Sequence, residues 1–167
     1  MKPYGKGLYY INPELRKSFQ NGVLSHQWRK DYPMLFDDED LALAISQNSN
    51  HFYEWLGAIR IFEDKKYLCL VEKYQFKKHK VQRDLFHSIV PKEIYTFIDS
   101  PEYGGRQVPD LLAYSPDKTD WFFCEVKGWP DRMHEGSGQE IAFKRLEKNF
   151  NIVIQLLIFK PEKIFTK

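Results

Sequence analysis

Two acidic residues lie in strand-like runs that a short turn-rich loop joins. Asp110 begins the run DLLAY, and Glu125 lies near the end of the run WFFCEVK. A hairpin paired symmetrically about the loop brings Asp110 opposite Glu125 on one face. Lys127 projects to the same face as Glu125, because alternate residues of a strand share a face. The spacing therefore predicts that two carboxylates and one ammonium group converge.

Convergent carboxylates of this kind favour binding of a divalent cation. Opposed Cβ atoms in an antiparallel pair are ~5 Å apart, and like charges at that distance are destabilising unless a cation compensates them. Hard oxygen ligands that leave positions for water and a phosphate suit Mg²⁺ or Mn²⁺. A zinc site is not indicated, because Cys69 and Cys124 lie in apolar runs without ligand spacing.

The chemistry of these three residues has a second interpretation. Lys127 beside a metal would position an attacking water and offset charge that develops on a phosphate. Alternatively, Glu125 and Lys127 form an ordinary salt bridge on an exposed strand, and Asp110 is only a turn residue after Pro109. The apolar run before Glu125 favours an interior strand and so the first interpretation.

A helix upstream of the hairpin is predicted by apolar residues at helical spacing. Its buried stripe is formed by Phe52, Trp55, Leu56 and Ile59. Asn50 is the predicted N-cap. Glu54 shares another line of this helix with Ala58 and Ile61, so its carboxylate points away from open solvent and needs a partner.

Other elements are predicted on both sides of this central part. An acidic cluster at 37–40 predicts a helix start, whereas the rest of the first fifty residues has little strand pattern. The segment 64–91 is ambiguous between helix and strand. Ser137 and Glu140 form a capping-box pattern that opens a helix with Gln139 on its sheet-facing side. The apolar run 152–159 predicts a strand covered on both faces, so the order of elements indicates a mixed α/β sheet.

Composition and charge limit the class of protein. The 167 residues are 43% apolar, without an apolar stretch near the ~18 residues that a membrane span requires. The beginning of the sequence has no signal-peptide pattern, so we expect a cytoplasmic protein of one domain. A net charge of +2 does not indicate nucleic-acid binding, which moves that question to local patches.

One local patch is strongly basic and contains aromatic residues. Between residues 73 and 83 there are five Lys or Arg residues and no acid. The candidate phosphate contacts in this basic run are Lys73, Lys77, Lys78, His79, Lys80 and Arg83. A solvated basic face explains the run equally well, and the sequence leaves both readings open.

Three short motifs together resemble a known family. VPDLL at 108–112, FCEVKG at 123–128 and DRM at 131–133 are similar to the PD-(D/E)XK nuclease signature, and more narrowly to its virus-type replication-repair (VRR-NUC) branch. The similarity covers about a third of the chain. Two features differ from that branch: Trp129 and Pro130 replace the usual proline and the residue after it, and Gln139 comes two residues later than the pattern places it.

The resemblance implies a fold and a set of site residues. It implies a restriction-endonuclease-like mixed sheet flanked by helices, with a mainly helical N-terminal extension at 1–50 and a nuclease core at 51–167. By position, Asp110, Glu125 and the backbone carbonyl of Val126 would hold Mg²⁺ or Mn²⁺, and Lys127 would serve the water. The remaining implied residues are a helix glutamate, which is Glu54 or alternatively Glu72, the helix-opening Gln139, and Arg132 as a DNA contact.

The function that follows is hydrolysis of phosphodiester bonds in DNA. The resemblance implies a metal-dependent, structure-directed nuclease acting on branched or flapped DNA without sequence recognition, in repair, recombination or defence. By analogy a homodimer is expected, since two sites would then address two strands. The alternative is a non-catalytic nucleic-acid-binding or regulatory module with the same fold.

Overall fold

The structure is a computed structural model that describes residues 1–71, 74–104, 108–131 and 133–162. The strands are β1 (Lys2–Ile11), β2 (Leu68–Val71), β3 (Leu111–Tyr114), β4 (Trp121–Gly128) and β5 (Gln155–Pro161). The helices are α1 (Glu14–Gln20), α2 (Val23–Asp31), α3 (Asp38–Ser46), α4 (Phe52–Lys65), α5 (Lys80–Ile89), α6 (Lys92–Ile98) and α7 (Gly138–Phe150).

The five strands form one open mixed sheet in the order β1-β5-β4-β3-β2. β3 pairs antiparallel with β4 and with β2, whereas β5 runs parallel to both β4 and β1. Leu112 lies opposite Phe123 and Tyr114 lies opposite Trp121, so the predicted hairpin register is confirmed. The expectation of a mixed α/β sheet flanked by helices is also confirmed.

Helices cover both faces of the sheet. Consecutive residues of the central strands are therefore buried in two different clusters. Leu111 and Ala113 of β3 join a cluster with α4, and Leu112 and Tyr114 join a second cluster with α5, α6 and α7. This two-sided burial explains why β3 and β4 are apolar with little alternation. Both cysteines are free thiols buried in the first cluster.

The first fifty residues contain a strand that the sequence pattern does not predict. β1 forms the sheet edge beside β5, and its register shifts between Pro3 and Leu8. This irregularity removes the regular alternation by which strands are recognised. α3 begins where expected, since Asp37 and Asp40 exchange side-chain to backbone hydrogen bonds in a capping box.

Three other boundaries differ from the prediction or resolve it. α4 is capped by His51, which has a φ of 67°, so the prediction of Asn50 as the N-cap is wrong. β5 begins at Gln155 rather than 152. The ambiguous segment 64–91 contains the end of α4, then β2, and then α5. Within the described ranges, every helix is too short or too polar to cross a bilayer.

Candidate active site

The predicted acid pair lies where the β3–β4 hairpin opens. Asp110 immediately precedes β3, and Oδ2 of its carboxylate accepts a hydrogen bond of 2.8 Å from the Val126 backbone N–H. Oε2 of Glu125 accepts a bond of 3.3 Å from the Asp110 backbone N–H. Each carboxylate is therefore held by a backbone N–H group from the other arm of the hairpin. The structure brings together the two acids that the register predicts.

Glu125 is fully buried and has two further donors. The Lys127 Nζ atom lies 2.6 Å from Glu125 Oε1, and Gln139 Nε2 donates to the same oxygen at 3.0 Å. Gln139 occupies the first turn of α7, where the Ser137 hydroxyl accepts a bond from the Glu140 backbone N–H. The cap thus fixes the start of α7 and directs the Gln139 amide at the acid pair.

The electrostatics of the pair show a deficit of positive charge. Burial raises the pKa of Asp110 well above its usual value, and the carboxylates of Glu125 and Glu54 raise it further, against Lys127 and the Val126 N–H. Burial also raises the pKa of Glu125, although Lys127 opposes this effect. One ammonium group therefore does not neutralise the acids.

Lys127 is kept in its charged form by the same acids. Burial lowers the pKa of Lys127, but the Glu125 carboxylate, its hydrogen bond, Asp110 and Asp131 outweigh burial and raise that pKa overall. The Lys127 side chain retains 14% of its exposure, whereas Glu125 retains none. The ammonium group therefore lies between the buried acid and solvent.

Glu54 reaches this region because α4 lies close to the sheet. At Gly57, one turn after Glu54, an added Cβ would lie 2.9 Å from Val126 Cγ2 and 3.2 Å from Leu111 Cδ1. The missing side chain permits the close approach, and the Glu54 carboxylate then acts on Asp110. Glu72, the alternative helix glutamate, lies outside the described residues.

Two buried tyrosines beside the acid pair were not predicted from the sequence. The Tyr74 hydroxyl donates to the Pro109 carbonyl at 2.5 Å, directly before Asp110. Burial raises the pKa of Tyr103, and Glu125 raises it further. Tyr74 lies within the sequence of the basic run, and no spacing rule relates it to Pro109.

A cavity of about 540 Å³ adjoins the acid pair. It lies between α1, the start of α4 and the loop after β4, and Glu54 contributes to its wall. The other lining residues are Arg16, Gln47, Ser49, Asn50, His51, Phe52, Tyr53, Gly128, Trp129, Pro130 and Asp131. Asp110, Glu125 and Lys127 do not line this cavity, and its link to the acid pair is Glu54, whose carboxylate acts on Asp110.

The donor set fits Mg²⁺ or Mn²⁺ better than zinc. The described residues contain no group of three or more His, Cys, Asp or Glu side chains that is placed to hold a metal ion. The donors that the family resemblance implies are the two carboxylates of Asp110 and Glu125 and the backbone carbonyl of Val126, all hard oxygens. Burial raises the pKa of the Cys124 thiol, which disfavours the thiolate that zinc requires.

The basic run contributes less free charge than its sequence indicates. His79 Nδ1 lies 3.0 Å from Glu39 Oε2, Lys80 pairs with Asp84, and Arg83 pairs with Asp99. Lys77 and Lys78 are exposed. Lys73 and Arg132, two further predicted DNA contacts, lie outside the described residues.

Comparison of the chain with known proteins finds no match. No protein-family model, no curated protein and no solved structure matches the chain. The interpretation of the site depends on its residues and their geometry.

Proposed function

We propose that the protein is a Mg²⁺- or Mn²⁺-dependent deoxyribonuclease with a restriction-endonuclease-like fold. The observation that carries the proposal is the pair formed by half-buried Asp110 and fully buried Glu125, with the Lys127 ammonium 2.6 Å from Glu125 Oε1. Holding two carboxylates together inside a protein destabilises the folded state. Such arrangements are retained most often at functional sites. Metal-assisted hydrolysis of a phosphodiester uses this combination of hard oxygen ligands and a positively charged side chain.

Each residue of the site has a role in this reaction. Asp110, Glu125 and the Val126 carbonyl would hold the ion, which supplies Lewis-acid polarisation of the phosphate and a more acidic bound water. Lys127 orients the attacking water and stabilises negative charge that develops on the phosphate. Gln139 keeps the Glu125 carboxylate in place by its hydrogen bond at 3.0 Å.

The lysines proposed to contact DNA favour cleavage that is directed by the structure of the DNA rather than by its sequence. Lys77 and Lys78 are exposed and would contact backbone phosphates, which position DNA without reading bases. We propose branched or flapped DNA as the substrate, in repair, recombination or defence. Binding to phosphates releases counterions, so DNA affinity should fall steeply as salt increases.

The test is a cleavage assay on linear, flapped and four-way DNA with Mg²⁺, Mn²⁺ or EDTA. The variant is Glu125→Gln, and the matched control is Glu93→Gln on the exposed face of α6. We expect the unmodified protein and Glu93→Gln to cut at least one substrate with either ion and none in EDTA. Glu125→Gln should not cut.

Two results would reject the proposal in different ways. Binding of DNA without cleavage under either ion would replace it with the non-catalytic binding module. Undiminished cleavage by Glu125→Gln would show that the acid pair is not the catalytic centre.

A further inference from the structure

The cavity beside the acid pair has the size of a small-ligand site. Its volume of about 540 Å³ lies within the ~300–1,000 Å³ typical of such sites. Its lining combines aromatic rings with polar and charged side chains, which differs from a gap in the apolar core. None of these residues has a role in the proposed cleavage, and only Glu54 and Asp131 act electrostatically on Asp110 or Lys127, so the cavity needs its own explanation.

Trp129 is the first residue that indicates the kind of ligand. It is 40% exposed, whereas Trp28, Trp55 and Trp121 are buried or half-buried. The Lys160 Nζ atom lies 4.3 Å from the centroid of the Trp129 ring. Lys160 covers one face of the ring, and a large exposed ring in a cavity offers its other face as a surface on which a nucleobase can stack.

Tyr53 and Arg16 provide the second indication. The Arg16 guanidinium carbon lies 5.3 Å from the centroid of the Tyr53 ring, and both residues line the cavity. Tyr53 is itself fixed, since its ring packs so closely on Gly128 that a Cβ there would overlap it. A guanidinium on an immobile ring is placed to bind a phosphate.

Glu54 connects the cavity with the acid pair. Glu54 lines the cavity and acts on Asp110, and Gly128 lines it and follows Lys127. A ligand in the cavity would therefore lie near a phosphate bound at the acid pair, with Glu54 between them. A chain of nucleotides spans such adjacent positions naturally.

We propose that this cavity binds one unpaired nucleotide of DNA, adjacent to the phosphodiester that is cut, with its base on Trp129 and its phosphate near Arg16. A base within a duplex is already stacked on both faces and would first have to leave the stack, so an unpaired nucleotide enters at a lower cost. The inference rests on the proposed function, because it takes the ligand to be DNA.

The experiment measures binding of DNA with and without one unpaired base. The probes carry 2-aminopurine, a fluorescent base that stacking quenches, either as an unpaired nucleotide or fully paired in the same sequence. Measurements use the Asp110→Asn background, which removes one repelling charge and blocks cleavage. The variants on this background are Trp129→Ala, Trp129→Phe and Arg16→Gln, and the control is Phe76→Ala, at a residue 44% exposed outside the cavity lining.

We expect the unpaired probe to be quenched and to bind roughly tenfold more tightly than the paired probe. Trp129→Ala should lose the quenching and this preference, whereas Trp129→Phe and Phe76→Ala should keep both. Arg16→Gln should weaken binding of the unpaired probe. Circular dichroism verifies folding, and if Trp129→Ala is unfolded, the Arg16→Gln and Trp129→Phe results decide.

The results separate this inference from the nuclease proposal. Equal binding of both probes, or quenching that survives Trp129→Ala, would overturn the cavity assignment even in a protein that cuts DNA. Quenching that depends on Trp129 in a protein that cuts nothing would support the cavity assignment and reject the nuclease.

Discussion

At the scale of single residues, the acid pair is a local instability that the protein retains. Glu125 has no exposed surface, and Asp110 is held against it by two backbone hydrogen bonds. Burial disfavours both charges, and Lys127 and the backbone N–H donors only partly oppose it, so a further cation would stabilise the charged pair. Perturbed acids in contact beside a cavity are typical of a functional site.

Asp110→Asn should therefore abolish cleavage without destabilising the metal-free protein. An asparagine oxygen can still accept the Val126 N–H, while the repulsion from Glu125 and Glu54 disappears. We expect cleavage to fall by more than about 100-fold, and the unfolding temperature in EDTA to stay equal or rise. Calorimetry and the cleavage assay measure the two effects.

The matched control is Asp117→Asn in the β3–β4 loop. The Ser115 hydroxyl, together with Thr119, lowers the pKa of Asp117, so this carboxylate stabilises the folded state. Its replacement should lower the unfolding temperature and leave cleavage unchanged. A fall of equal size in Asp110→Asn would show that the acid pair is not under strain.

Some of these residues were predictable from the sequence, and others were not. The pairing of Asp110 with Glu125 followed from strand period and loop symmetry, and both are local rules. The approach of Gln139 followed from a capping motif. The contact of Tyr74 with Pro109 joins residues 35 positions apart through an irregular segment, and no local pattern carries that information.

Tyr74→Phe should impair the site more than it impairs the fold. The phenol is fully buried, and its hydroxyl fixes the Pro109 carbonyl that precedes Asp110. Its loss leaves a buried acceptor unpaired, at a cost of about 1–3 kcal/mol, and allows Asp110 to move. We expect weaker Mn²⁺ binding in titration calorimetry and slower cleavage that added Mn²⁺ partly restores.

A tyrosine in the same buried cluster provides the comparison for this prediction. Tyr114→Phe removes a hydroxyl at a residue that is 6% exposed on β3. It should leave Mn²⁺ affinity unchanged. Equal Mn²⁺ affinity in both variants would remove Tyr74 from the site.

At the scale of elements, two close contacts place the site residues. Gly57 lets α4 approach β4, and Gly128 lets the Tyr53 ring lie on the strand end. The sequence predicted α4, α7 and the hairpin because their periodicity is strong. β1 was missed because its register is interrupted, and β2 because four apolar residues are compatible with either helix or strand.

Gly128→Ala should destabilise the protein because the new methyl group would overlap the Tyr53 ring. We expect a loss of about 1–3 kcal/mol in the free energy of unfolding, as for overpacked sites, measured by urea denaturation. Gly138→Ala is the control, since nothing lies within 4 Å of an added Cβ there. Combining Gly128→Ala with Tyr53→Ala should cost less than the sum of the two single changes. Strict additivity would mean that the ring is not the obstacle.

At the scale of the whole molecule, charge is arranged locally rather than globally. The net charge is only +2, and several cations of the basic run are paired with acids from α3, α5 and the end of α6. The basic run therefore does not produce a strongly positive face by itself. The strongest imbalance among the described groups lies at the acid pair, so metal binding and protonation there should affect the stability of the entire fold.

The stability of the metal-free protein should consequently fall as pH rises above the ordinary carboxyl pKa, relative to that of Asp110→Asn. The pKa of Asp110 is raised by burial and by Glu125, so the folded state holds protons that the unfolded chain has released. Stability from these protons is complete below the ordinary carboxyl pKa and is lost as pH rises through the raised pKa.

Mn²⁺ takes the place of the protons, so the increase in unfolding temperature that it causes should grow with pH and be absent in Asp110→Asn. Calorimetry at several pH values, with EDTA or Mn²⁺, measures both trends. A Mn²⁺ effect that is equal at all pH values, or equal in the variant, would place the ion elsewhere.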